Sequence, residues 1–272
     1  MKRPNGTTPI HSDVLVPPRE TSQRRVVAYV LDLHRGGGRP PHQHDRAQLL
    51  AVTSGSIAVV AEGATFVAPP ERGVWVPAHT LHETRHLAST RLRTLYIDPA
   101  ACAGLPDRTT VVQISPLMRE LLTAIVACPR EYDEQAADGR LVDVMLDQIA
   151  ASRALPLSLP IPVSAPLRAA AMQILEHPME GPSMQALSHS LHMSPRTLQR
   201  QFKNETGLSL RSFRRQAKLL KALELLSGRT PVSRISDLLG FGEPSAFISM
   251  FRAAYGVTPG RYLSEGGIIA DP

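Results

Sequence analysis

Hydrophobic and polar positions along the chain fall into two regimes. From about Leu15 to Asp98 the apolar residues come in short extended runs, Val26–Leu33, Gln48–Thr53, Ser56–Val60, Gly73–Val76 and Arg91–Ile97, with Gly, Pro and Asp clusters between them. Evenly spaced short runs predict the strands of a barrel or sandwich. Helical spacing then takes over. Ser115 stands before Pro116 as an N-cap stands before the first residue of a helix, and Leu117, Leu121, Leu122 and Ile125 follow on one face. A second helix over about 135–152 carries Leu141, Val144, Met145, Leu146 and Ile149. These two apolar stripes suit a dimer interface and suit packing on their own barrel equally well. Residues 155–166 hold four prolines, which excludes regular helix and central strand and predicts a semi-rigid linker.

Beyond Pro166 the pattern is helical throughout, and it repeats. Leu187-Ser188, Leu191 and Met193 match Ile235-Ser236, Leu239 and Phe241 at an offset of 48. Pro195, Leu198, Phe202 and Gly207 match Pro244, Phe247, Phe251 and Gly256 at an offset of 49. Two copies of helix, short turn, helix are too few for a solenoid. In the first copy Leu198 and Phe202 face inward, which leaves Arg196, Thr197, Gln199, Arg200 and Lys203 outward. Arg and Gln pair bidentately with guanine and adenine edges in the major groove, so this face has the chemistry of a DNA recognition helix. The second copy presents Ser245, Ile248, Ser249 and Arg252. The predicted helix between the copies, over 209–226, carries or adjoins Arg211, Arg214, Arg215, Lys218 and Lys221, expected to contact phosphates.

Charge sharpens this division. The net charge is +6, and residues 166–267 hold all of it, with 13 Lys/Arg against 7 Asp/Glu; the remainder balances at 17 of each. An anionic partner is expected for the C-terminal part. A length of 272 residues predicts two domains, and 43% apolar with 20% charged residues excludes a disordered chain. No apolar run is long enough to span a bilayer, and the basic N-terminal residues precede no apolar core of a secretory leader. Cys102 and Cys128 lack framework spacing, which fits a reducing cytoplasm and no membrane partner.

Residues 184–263 resemble the DNA-binding domain of the AraC/XylS family of bacterial transcription regulators. The resemblance rests on Leu187-Ser-x3-His-Met-Ser-Pro-Arg-Thr-Leu-Gln-Arg-Gln-Phe202-x4-Gly207 and Ile235-Ser-x3-Gly-Phe241-x5-Phe247-x3-Phe-Arg-x3-Gly-Val-Thr-Pro259-x2-Tyr262. It implies base contacts from Arg196, Gln199 and Arg200, and from positions near Ser245, Ile248 and Ser249. Ser188 and Ser236 replace the usual Ala, a mild change where each hydroxyl bonds a carbonyl one turn back. Ser249 stands where the family often carries Arg, so sequence discrimination is expected mainly from the first unit.

In the strand-rich part, Gly36-x5-His42-x-His44-x3-Gln48-x6-Gly55 resembles the first cupin motif, with Gln48 for the usual Glu. Pro77-Ala-His-Thr-Leu-His82-x3-His86 resembles the second, with His79 where Gly is common and His86 where Asn is common. His42 and His44 alternate to one face of an extended segment, His82 arrives from another strand, and Gln48 offers a carbonyl oxygen. Such a set suits a divalent Zn, Ni, Fe or Mn ion, or else lines a metal-free effector pocket. Trp75 and Tyr96 read as core.

The expected fold is an all-β cupin barrel followed by an all-α domain with two helix-turn-helix units joined by a linker helix. The expected divisions are a flexible tail (1–13), a cupin-like effector or metal domain (14–104), coupling or dimerisation helices (105–153), a Pro-rich linker (154–165) and the DNA-binding domain (166–265). The expected function is a one-component, sequence-specific transcription regulator that senses a small molecule or metal. The resemblance implies double-stranded DNA, a small-molecule effector, a second copy of the chain in a homodimer, and RNA polymerase as partners. The alternative is a cupin dioxygenase or isomerase fused to a DNA-binding module. Gln48 argues against it, because such enzymes usually supply a carboxylate ligand.

Overall fold

The structure, a computed structural model, describes residues 22–152, 154–155 and 157–264; the expected tail and residue 265 lie outside the described residues. Nine strands come first: β1 (Val26–Leu33), β2 (Gly38–His42), β3 (Ala47–Ser54), β4 (Ile57–Ala61), β5 (Ala64–Ala68), β6 (Arg72–Val76), β7 (His82–His86), β8 (Thr90–Ile97) and β9 (Thr110–Gln113). Helices α1 (Pro116–Val126) and α2 (Ala137–Ala150) follow, then the short strands β10 (Ala154–Leu155) and β11 (Ser158–Pro160). The rest is helical: α3 (Ala165–Glu176), α4 (Met184–Ser190), α5 (Pro195–Thr206), α6 (Leu210–Ser227), α7 (Val232–Leu238), α8 (Pro244–Tyr255) and α9 (Pro259–Ser264).

The strands form two antiparallel sheets, ordered β1-β8-β3-β6-β9-β10 and β11-β5-β4-β7-β2. Leu50, Val52, Val74 and Leu92 of the first sheet share one core with Ile57, Val59 and Phe66 of the second. The alternate residues of the first sheet, Leu49, Ala51, Trp75 and Leu95, point the other way and pack on Met118, Leu121, Leu122, Ile125, Val142, Met145 and Ile149. Burial on both faces explains why β3 and β6 read as unbroken apolar runs rather than alternating ones.

The two helices therefore cover their own barrel. Leu121 is buried and Leu141 half-buried in this packing, so charge at Leu121 would break the core before it tested an interface. What α1 and α2 leave exposed is Leu117 and Val144.

Four of the first nine strands fall outside the runs legible in the sequence. β2 carries Pro40 and Pro41, β7 reads His-Glu-Thr-Arg-His, and β5 and β9 are short. β2 lies at the edge of its sheet, where proline forfeits no ladder bond. β7 alternates cleanly, but with His82, Thr84 and His86 on the buried side. The Pro-rich segment, expected as a semi-rigid linker, carries two short paired strands. β10 pairs with β9 at one sheet edge and β11 with β5 at the other, and Leu157, Leu159 and Ile161 are buried. The β unit consequently extends past residue 104, through β9, and its sheet edges are closed by β10 and β11.

Candidate functional site

The barrel site is assembled by the β2–β7 pair. Its register places His42 directly opposite His82, and an irregularity between Arg39 and His42 precedes that pairing. Close approach of the strands requires glycine at 38, because a Cβ there would lie 2.2 Å from the Thr84 carbonyl oxygen. His44 follows β2, and its carbonyl accepts from the His79 N–H at 2.8 Å. His79 adopts φ +61°, which accounts for the glycine common at that position of the motif.

His42, His44 and His82 converge, with ring centroids 4.3 Å apart for His42–His82, 5.0 Å for His44–His82 and 6.0 Å for His42–His44. Ligand nitrogens from the three lie within 4.8 Å of one another. Each Nδ1 sits on a backbone carbonyl: Pro40 at 2.9 Å, Arg46 at 2.5 Å and Thr80 at 2.8 Å, respectively. A carbonyl only accepts, so Nδ1 carries the proton in all three rings and Nε2 keeps its lone pair. His82 Nε2 is buried with no hydrogen-bond partner. Burial lowers the pKa of each imidazole, that of His82 to about 4, so the rings are neutral at neutral pH.

Gln48 completes the set. Its amide nitrogen donates to Thr94 Oγ1 at 3.0 Å, which turns Oε1 toward His44 Nε2 at 3.2 Å. In this orientation both atoms offer lone pairs to one side, as two ligands of one cation would. Adjacent ligands around an ion with ~2.1 Å bonds stand about 3.0–3.4 Å apart, which matches this spacing. Tyr96, read from sequence as core, lies edge-on to His44 at 5.3 Å and faces a cavity of about 40 Å³. Leu31, Leu33, Leu50, Ile57 and Leu92 give that cavity its aliphatic lining, and Arg39, His42, Gln48, Thr84 and His86 its polar lining. Trp75 points away from it, and its indole N–H donates to the Pro106 carbonyl at 2.8 Å.

In the helical domain the two repeats fold alike. α4–α5 and α7–α8 each pair a seven-residue helix with a twelve-residue one, and Gly207 and Gly256 close the longer helices with φ +72° and +74°. The turns share one hydrogen bond, Met193 N–H to the Ser188 carbonyl and Phe241 N–H to the Ser236 carbonyl. The Ser188 and Ser236 hydroxyls are buried without partners, contrary to the back-bonding expected of them. Restoring alanine at both positions is expected to stabilise the domain by roughly 1 kcal/mol per site, since an unpaired buried hydroxyl is costly. Thermal unfolding of the Ser188→Ala/Ser236→Ala variant measures this; an unchanged or lower midpoint contradicts it.

Arg196, Gln199, Arg200 and Lys203 are exposed on α5 over buried Leu198 and Phe202. Thr197 is half-buried, with its N–H and hydroxyl engaged by the N-cap Ser194 at 3.1 and 2.9 Å. On α8, Ser245, Ser249 and Arg252 are exposed and Ile248 is half-buried, and the N-cap Glu243 makes no side-chain cap bond. Of the connector's cations, only Arg211 and Arg215 are exposed and turned to solvent. Arg214 donates to the Gly181 and Pro182 carbonyls, Lys218 to the Leu239 carbonyl at 3.0 Å, and Lys221 pairs with Glu224. Arg214 and Lys218 brace α6 against its neighbours, a role that spacing along one helix does not reveal, and Lys221 is engaged within α6 itself.

The helical domain also docks on the barrel. Ser56 Oγ donates to Glu224 Oε2 of α6 at 2.6 Å, and the buried Arg72 of β6 reaches Tyr262 Oη of α9 at 3.3 Å. Ser56 and Leu87 lie against α6, whereas their neighbours Ile57 and His86, paired across β4 and β7, line the effector cavity. One strand pair separates the two.

Residues 187–265 match the helix-turn-helix domain family and residues 29–150 the AraC-like ligand binding domain family. NimR, an HTH-type transcriptional regulator of Escherichia coli K12, is 30% identical over 90% of this chain and 91% of its own length. RhaR, an HTH-type transcriptional activator of Pectobacterium carotovorum, is 30% identical over 47% of this chain and 37% of its own. The DNA-binding domain of AdpA, solved with a target DNA, is 29% identical over 38% of this chain and 93% of that one, with a TM-score of 0.35. Among the described residues no helix is long and apolar enough to cross a membrane. Ligand-binding barrel, paired helix-turn-helix units and full-length similarity to a regulator agree: the chain belongs to the AraC family of DNA-binding transcription regulators.

Proposed function

We propose that the chain is a cytoplasmic one-component regulator whose barrel holds a divalent cation on His42, His44 and His82, with Gln48 Oε1 beside them. One observation carries this reading: three imidazoles, each held by a carbonyl on Nδ1, bring ligand nitrogens within 4.8 Å of one another. Backbone anchoring of the second nitrogen is the usual way a protein orients metal-bound histidine. When bound, the ion would supply a fixed positive charge beside the cavity that His42 and Gln48 line. The residues themselves do the rest: Thr94 orients Gln48, and Tyr96 and the aliphatic wall border the site. Elemental analysis of the purified full chain is expected to find one equivalent of a divalent transition metal; a metal-free protein that takes up none on addition contradicts it.

The barrel acts as sensor rather than catalyst in this reading. Among the described residues no acidic side chain lines the cavity, so that wall offers no carboxylate for general acid–base work. DNA is engaged chiefly by α5, through Arg196, Gln199, Arg200 and Lys203, while α8 positions the domain through Arg252, Ser245 and Ser249. Occupancy of the cavity is read out through β4 and β7, where Ile57 and His86 touch the cavity and Ser56 and Leu87 touch α6. An effector acts only by its differential affinity for two arrangements of the DNA-binding domain, and this contact is where the arrangements differ. The working unit at a promoter is a homodimer that also meets RNA polymerase; light scattering of the full chain reads the dimer directly, and a monomer at micromolar concentration excludes it.

A further inference from the structure

The polar lining of the cavity consists of positive and neutral groups. Arg39 of β2 lines it beside His42, and its charge bears on His42, His44, His82 and Tyr96. Among the described residues no carboxylate forms an ion pair with Arg39, and none lines the cavity. Gln48 sharpens this imbalance, because it brings a neutral oxygen where a carboxylate would bring a negative one. A dication held by three neutral imidazoles and an amide keeps its full charge, and Arg39 adds to it. Uncompensated charge of that size in a half-closed, apolar-walled site is costly, so the site calls for an anion from outside.

The rest of the cavity limits which anion. Leu31, Leu50, Ile57 and Leu92 are aliphatic lining that offers no partner to a second charged group. A volume of about 40 Å³ admits roughly three or four water-sized centres. We propose that the effector is a small aliphatic carboxylate. Its charged head answers the cation and Arg39 together, and its short tail lies against Leu31, Leu50 and Ile57. This rests on the metal reading given above. Because Ile57 and His86 border the same space and their chain neighbours touch α6, a tail seated there presses on the wall that carries the DNA-binding domain.

The test uses the full chain loaded with cobalt(II), whose visible spectrum reports on its surroundings, titrated with propionate and butyrate. 1-Butanol and butylamine of matched size serve as controls. The expected result is a saturable spectral change and a raised thermal midpoint with the carboxylates only. Arg39→Gln is expected to bind cobalt(II) as the wild type does and to need at least tenfold more butyrate. If cobalt(II) binds but the carboxylates do nothing, or butanol does as well, or Arg39→Gln binds butyrate unchanged, the proposal is overturned while the metal reading stands. If the wild type takes up no cobalt(II), the metal reading fails and the proposal falls with it.

Discussion

A His42→Ala/His44→Ala variant is expected to lose its metal while keeping its fold. The two substitutions leave only His82 and the Gln48 carbonyl at the site, and a single supporting residue behind a ligand is already worth about 10–100-fold in affinity. Removal of two direct ligands is therefore expected to weaken binding by more than ~10³-fold. The fold is expected to survive because the triad lies at the rim of the β2–β7 pair. The cores are built by Leu50, Ile57 and Leu92 on one side of the first sheet and by Leu49, Trp75 and Leu95 on the other. Metal content by elemental analysis, read beside circular dichroism and thermal unfolding, separates the two effects. Equal metal in variant and wild type would remove the triad from the account.

The second large effect is expected on α5. Arg200→Ala should cost roughly 1–3 kcal/mol on the preferred duplex, about 5–150-fold in affinity, and should relax the preference at one or two base pairs. Arg200 is exposed on the helix whose apolar side, Leu198 and Phe202, is locked into the core, so its guanidinium is free to read a base edge. Ser249→Ala on α8 is expected to change far less, since a serine hydroxyl cannot form the bidentate pair that fixes one base. Binding selection on randomised duplexes compares the two variants with the wild type. A larger change of preferred sequence for Ser249→Ala would show that α8 reads bases by another route.

Much of this architecture was legible in the residues because it rests on local signals. The 48-to-49-residue repeat, the Ser194-Pro195 start of α5 and the Gly207 stop are all written within a few positions of where they act. The histidine spacing was legible for the same reason: His42 and His44 are two apart on an extended segment, and His82 lands opposite His42 by strand register. What escaped was decided by tertiary context. β7 hides its period of two behind histidine and threonine, and the prolines of β2 and of β11 are tolerated because those strands lie at sheet edges. Arg214, Lys218 and Lys221 look like a phosphate-binding row along one helix, yet carbonyls and a carboxylate from other segments or turns engage them. Tyr96 was indistinguishable from a core aromatic because it is one, with its ring edge left for the cavity. The ambiguity of the α1 and α2 stripes was real at the level of sequence, and only the outer face of the first sheet resolves it.

The account stands most directly on one coupling, between the cation in the barrel and the grip on DNA through the Ser56–Glu224 bond. The deciding measurement is the affinity of the full chain for its selected duplex at fixed ionic strength, chelated and then reloaded with zinc. Salt must be held constant because phosphate contacts alone change affinity steeply with it. The account predicts at least a tenfold change in affinity on reloading, and a smaller change in Glu224→Ala, which keeps the metal site and loses the contact. Identical affinity with and without bound zinc in the wild type would contradict it.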